Sequence, residues 1–119
     1  MMEKEEIEDI LEELAGYGAY GSAVMNKDGT PIASDLPGNV NENTFSIMCA
    51  TALGAGRTAN SELDRKPLEK IRIDSADRSI IIMSAGRKMV LSAIINSSED
   101  MEQTEDYISK AVKKLRKME

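Results

Sequence analysis

SIIIMSAGRKMVLSAIIN, residues 79–96, is two apolar runs separated by Gly86-Arg87. Ser79 to Ala85 carries Ile80, Ile81, Ile82 and Met83 without interruption, and Lys88 to Asn96 carries Met89, Val90, Leu91, Ala93, Ile94 and Ile95. A strand with one wet face alternates apolar and polar residues, so an unbroken run implies burial on both faces. Two such strands require a layer above the sheet and another below it.

Working outward, residues 68–75 alternate (Glu69, Ile71, Ile73 against Lys70, Arg72, Asp74), as an edge strand or a strand with one covered face does, and Ala76-Asp77-Arg78 forms the turn that follows. Ala19 to Asn26 has strand character, Lys27-Asp28-Gly29 supplies a turn, and a second strand covers Thr30 to Ser34. Pro31 lacks a backbone donor, which places that strand at an edge. Residues 35–39 form a loop. Residues 3–15 read as an amphipathic helix, with Ile7, Ile10, Leu11 and Leu14 on one stripe and Gly16 at its C-cap. A last helix from Glu99 to Met118 has the stripe Met101, Ile108, Ala111, Val112, Leu115 and Met118. The expected architecture is a single α/β (α+β) domain over residues 1–119, ordered α-β-β-α-β-β-β-α, with a five-stranded antiparallel sheet between helical layers.

The central helix, from about Asn41 to Leu63, has two unequal faces. Phe45, Met48, Cys49, Ala52, Gly56, Ala59 and Leu63 fall on the arc expected to lie on the sheet. Ile47, Ala50, Thr51, Gly54, Thr58 and Ser61 fall opposite. A water-facing helix surface normally carries Lys and Glu, and Gly54 and Gly56 each cost about 1 kcal/mol relative to alanine. Small residues in such a place let another backbone come close, so this face asks for a partner.

Composition narrows the chemistry. The 119 residues contain no histidine and one cysteine, which removes the commonest general base and any Cys-rich metal site. Gly54-Ala55-Gly56-Arg57-Thr58 sits mid-helix and lacks the strand and lysine of a phosphate-binding loop. Cys49 reads as a buried apolar residue in a reducing compartment, Tyr17 and Tyr20 as packing residues, and the Asn96-Ser97-Ser98 sequon as chance. No catalytic residue, cofactor or metal site is expected. Net charge is −6, with −6 between Glu3 and Glu13 and +4 in the last ten residues. Both runs read as solvated helix faces, and the terminal helices could lie side by side with their opposite charges facing. One Phe, three Tyr and no Trp argue against nucleic-acid binding. No signal peptide or apolar stretch long enough for a bilayer stands out, so a soluble cytoplasmic protein without membrane insertion is expected.

The strand Gly21 to Asn26, the Asp28-Gly29 turn and Pro31-Ile32-Ala33-Ser34-Asp35 resemble the Roadblock/LC7 family, as do the Ala- and Gly-rich central helix, Ile80 to Met83 and Met89-Val90-Leu91. The resemblance covers nearly the whole chain. It implies a profilin-like α/β/α sandwich, with the central helix on one sheet face and the terminal helices on the other. It further implies a homodimer, or a heterodimer with a paralogue, formed by pairing central helices and joining third strands. The residues assigned to that interface are Ile47, Ala50, Thr51, Gly54, Arg57, Thr58, Ser61, Leu68, Lys70, Arg72 and Asp74. Bacterial and archaeal members commonly pair with Ras-like small GTPases as activating or co-regulatory proteins without supplying a catalytic group. Arg57, the one basic residue of the central helix, is read as a hydrogen-bonding interface residue rather than an arginine finger. The competing reading is a small-molecule sensor, whose sign would be an apolar pocket with convergent polar groups.

Overall fold

The computed structural model describes residues 2–63, 66–97 and 100–119; Ser98 of the sequon and the expected Glu99 helix start lie outside the described residues. The elements are α1 (Met2–Gly16), β1 (Ala19–Asn26), β2 (Pro31–Asp35), α2 (Glu42–Leu63), β3 (Lys70–Asp74), β4 (Arg78–Ala85), β5 (Met89–Asn96) and α3 (Met101–Arg116). All strand pairs are antiparallel, in the spatial order β2-β1-β5-β4-β3. The β4–β5 hairpin expected to be covered on both sides is therefore interior, and Pro31 lies on the β2 edge. Because β2 and β3 are opposite edges, α2 carries the chain across one whole face of the sheet.

Strand periodicity sorts the core into two layers. Val24, Ala33, Ile81, Leu91, Ala93 and Ile95 face α1 and α3, where they meet Ile7, Leu11, Ile108 and Leu115. Ala23, Met25, Ile82 and Val90 face α2 and meet Cys49, Ala50 and Leu53. Each fully buried Leu or Ile contributes about 1.5–3 kcal/mol, so both layers anchor their helices to the sheet. Polar side chains begin the second and third helices: Asn41 Oδ1 accepts from Thr44 N at 2.9 Å, and Asp100 Oδ1 accepts from Gln103 N at 3.2 Å.

Two local expectations are corrected. Gly16 is the last residue of α1, and Gly18, with φ of 105°, makes the left-handed exit instead. Tyr17 N still reaches Glu13 O, so the helix carries one residue further before it turns. The buried arc of α2 also lies about 100° round from the expected one, at 100° per residue. Ser46, Cys49, Ala50 and Leu53 are its buried residues, whereas Met48 is 56% exposed and Leu63 88% exposed. Both faces of this helix are rich in small residues, so apolar periodicity is weak. Close fit against the sheet selects the buried side: a Cβ on Gly56 would lie 2.4 Å from Ile71 Cδ1 and 3.2 Å from Leu68 Cδ2.

Candidate protein-docking platform

The outward face of α2 is almost devoid of charge. Between Asn43 and Ser61 its sequence contains a single ionisable cation, Arg57, and no acid. That guanidinium is half-buried and donates from Nη2 to Ser84 Oγ of the same chain at 2.8 Å, so it is turned inward along the side of the helix. Ile47 is 47% exposed, and Thr51, Gly54, Ala55, Thr58, Ala59 and Ser61 are exposed with it.

Hydroxyls on this face are satisfied within the helix. Thr51 donates to Ile47 O at 2.7 Å, Thr58 to Gly54 O at 3.2 Å, and Ser61 to Thr58 O at 2.6 Å. Covering them breaks no bond, so their desolvation costs little. A Cβ on Gly54 would meet nothing within 4 Å. The two helix glycines thus differ in purpose: Gly56 admits the chain's own Ile71 and Leu68, and Gly54 leaves its outer side open.

Beside α2 lies the β3 edge. Among the described residues its outer backbone groups have no neighbouring strand in the sheet, and its residues are exposed except Ile71, which is half-buried against α2. An apolar groove of about 380 Å³ joins the two features, walled by Phe45, Met48 and Cys49 from the helix and by Ile73 and Ile80 from the strands. Ile73 is 43% exposed. The groove thus joins the uncharged helix face to the open strand edge, and exposed apolar side chains beside an unpaired edge mark interaction sites.

The structure divides the residues assigned from sequence. Ile47, Thr51, Gly54, Thr58 and Ser61 share the exposed α2 face. Ala50 does not: it is 7% exposed and packs on the sheet, because the helix is rotated from its expected setting. Leu68 precedes β3 and packs inward beside Gly56, so it is no part of the open edge. Lys70, Arg72 and Asp74 are exposed on β3 but turn toward the α3 side: Lys70 Nζ lies 2.8 Å from Glu105 Oε2, and Arg72 Nη1 lies 3.7 Å from Glu105 Oε1. Met48, Ala55, Ala59 and Ile73 are exposed beside them, although Met48 and Ala59 were expected on the arc that lies on the sheet. The absence of charge around the helix could have suggested the first three.

Two ionisable groups near the groove and the edge are perturbed by their surroundings. Burial pushes the Cys49 thiol up, opposed by the Ser92 hydroxyl, which is contrary to an activated nucleophile. Hydrogen bonds from Ser79, then from Arg72, hold the Asp74 carboxyl below its ordinary value. A carboxyl lowered on folding contributes stability above its unfolded pKa of about 4, and that contribution is lost as pH falls through the lower folded value. Asp74→Asn should therefore show a smaller loss of stability between about pH 5 and pH 2 than the parent at matched concentration, by urea unfolding. Parallel curves would show that Asp74 has no part in the acid limb.

Among the described residues, no group of three or more His, Cys, Asp or Glu side chains converges to hold a metal, and no helix is long and apolar enough to cross a membrane.

Comparison with known proteins agrees with this fold. An uncharacterized protein of Methanocaldococcus jannaschii is 35% identical over 74 residues, covering 62% of this chain and 63% of that protein. The match thus spans a little under two-thirds of that curated relative. Myxococcus xanthus MglB superposes with a TM-score of 0.89 at 18% identity, over 95% of this chain and 94% of that one. A Roadblock/LC7 domain from Streptomyces avermitilis superposes with a TM-score of 0.85 at 12% identity, over 92% and 93% of the two chains. At these identities the superpositions establish the fold. The Roadblock/LC7 domain model itself matches residues 6–96, from the first turns of α1 to the end of β5. This chain belongs to the Roadblock/LC7 domain family.

Proposed function

We propose that the chain is a non-enzymatic, cytoplasmic homodimer that serves as an adaptor or regulator of a Ras-like small GTPase. The observation that carries the reading is the uncharged outer face of α2, continuous through the Phe45–Ile73 groove with the open β3 edge. In this reading α2 packs on α2 of a second copy and β3 extends the sheet across the two-fold axis, an isologous contact. The partner GTPase enters through the family resemblance, and the paired helices offer it a broad surface. MglB is another family-fold protein, and one of its structures is described as a tetrameric arrangement; such assembly is consistent with self-association here.

Molar mass by light scattering across a hundredfold concentration range, with and without each Ras-like GTPase of the same genome, tests both parts. The expected result is a mass twice that of one chain throughout, rising on addition of one GTPase and accompanied by a changed rate of GTP hydrolysis. A monomer at high micromolar concentration would refute the dimer. A dimer that neither binds nor alters any of the GTPases would refute the regulator.

The small-molecule alternative would place a ligand in the 380 Å³ groove. That groove opens beside exposed Met48 and Ile73 on the platform itself, which favours side chains of a protein partner as its occupant.

A further inference from the structure

The opposite layer carries a second surface, independent of the platform. Lys114 Nζ lies 2.8 Å from Glu13 Oε2, while Tyr107 stacks on Tyr17 with ring centroids 3.7 Å apart and planes 4° from parallel. These pairings show that α1 and α3 run in opposite directions. Between them is a cleft of about 280 Å³. Ile10, Leu14 and Ala111 form its floor and the tyrosine pair one wall, with Tyr17 44% exposed.

The other wall is a row of lysines, Lys110, Lys113, Lys114 and Lys117. Their spacing places them on one helix face over about 10 Å of axis. Like charges so close repel, and the row is only partly relieved. Lys114 has Glu13, and Lys110 lies 5.3 Å from the centre of the Tyr107 ring. Among the described residues, neither Lys113 nor Lys117 has a carboxylate at ion-pair distance. A lysine stripe alone is an ordinary solvated face; here it borders a cleft with an apolar floor.

We propose that this cleft docks an acidic amphipathic segment of a partner protein, laid along α3 with apolar side chains in the cleft and carboxylates against the lysine row. Size and charge select that occupant. The volume is at the small end of ligand sites, which run from about 300 Å³ upward, so it takes a few side chains. The charge is one-sided: the exposed acids Glu5, Glu8, Asp9 and Glu12 of α1 lie outside the cleft, Glu8 and Glu12 beside Ser34 and Asp35, and the acid that lines the cleft, Glu13, is already paired with Lys114. A broad anionic surface such as a bilayer would meet those acids as well as the lysines, whereas a narrow segment with acids along one flank meets only the lysines. The family match ends at residue 96, before α3 begins, so the lysine row lies outside the matched residues.

Fluorescence anisotropy with the full chain tests this, using a labelled 14-residue peptide with Leu at i, i+3, i+4 and i+7 and Glu on one flank. Two control peptides replace Glu by Lys or Leu by Ser. The Glu/Leu peptide should bind best, more weakly as salt rises. Lys113→Glu/Lys117→Glu, at two exposed positions, should weaken it about tenfold or more, and Tyr17→Ser should also weaken it. Circular dichroism checks that both variants fold. Equal binding of the Ser-for-Leu peptide, or binding unchanged in the double lysine variant, would overturn the proposal. So would binding of anionic phospholipid vesicles but not of the peptide, which would make the row a membrane contact. Self-association lost in the double lysine variant, with no peptide bound, would make a second copy the occupant.

Discussion

Replacing Gly29 by alanine is expected to destabilise the protein by about 3 kcal/mol. Gly29 turns the chain from β1 into β2 with φ of 95°, a conformation that costs an L-residue about 1–2 kcal/mol. The turn also lies directly against α2. A Cβ at this position would come 2.7 Å from Ile47 Cα and 3.0 Å from Ile47 Cγ1. Because the nearest atom is helix backbone, a rotamer change cannot relieve the contact, and overpacking of that kind adds about 1–3 kcal/mol. Asp28 tightens the same turn by accepting from Thr30 N at 2.9 Å. Gly38→Ala is the matched control, since its Cβ would meet nothing within 4 Å and its φ is not positive; it should be nearly neutral. Urea unfolding of the two variants decides the matter, and a loss below about 1 kcal/mol for Gly29→Ala would show that the turn moves off the helix at little cost. The contact also ties the hairpin to Ile47, on the outer half of α2, so this glycine helps to set the height of the platform above the sheet.

That link between a turn and a helix surface marks where sequence reading succeeds and where it stops. Ile80 to Met83 and Met89 to Ile95 were legible because an unbroken apolar run of strand length needs cover on both faces, and the interior hairpin follows from it. The α1 stripe was equally plain, since Ile7, Ile10, Leu11 and Leu14 are all buried among acids that stay exposed. The setting of α2 was not legible. Alanine, glycine, serine and threonine carry little apolar contrast, so which side meets the sheet is decided by fit around Gly56, Ile71 and Leu68, a three-dimensional fact. Leu68 was misplaced for a related reason: alternation continues past the strand's true start at Lys70, although pairing with β4 begins only there, at Lys70 opposite Met83. The α1–α3 cleft was hidden more completely. Opposite terminal charges suggested that the helices are neighbours, but Tyr17 and Tyr107 are far apart in sequence and nothing local announces that their rings stack.

Gly54→Leu is expected to raise the dissociation constant of the proposed dimer at least a hundredfold, about 2.8 kcal/mol, while leaving the single chain more stable. The two effects have opposite signs because they arise on opposite sides of one position. Within the chain, a side chain at residue 54 points into open space. Replacing a mid-helix glycine by leucine then improves helix propensity by up to about 1 kcal/mol. Between chains, the same leucine stands in the middle of Thr51, Ala55 and Thr58, whose short side chains allow two helix backbones to approach closely. A bulky group at that centre holds them apart, and the dispersion contacts around it are lost with distance. Thr51→Arg, one turn away on the same face, should dissociate the dimer without the gain in helix propensity, through the cost of burying an unpaired cation. Sedimentation equilibrium measures the association, and thermal unfolding at low concentration measures the chain itself. Full-strength dimers in both variants would remove the α2 face from the interface and leave β3 as the candidate contact. Dissociation in both, with Gly54→Leu alone stabilising the chain, would mean that the glycine is retained for contact between copies, since α2 by itself folds better without it.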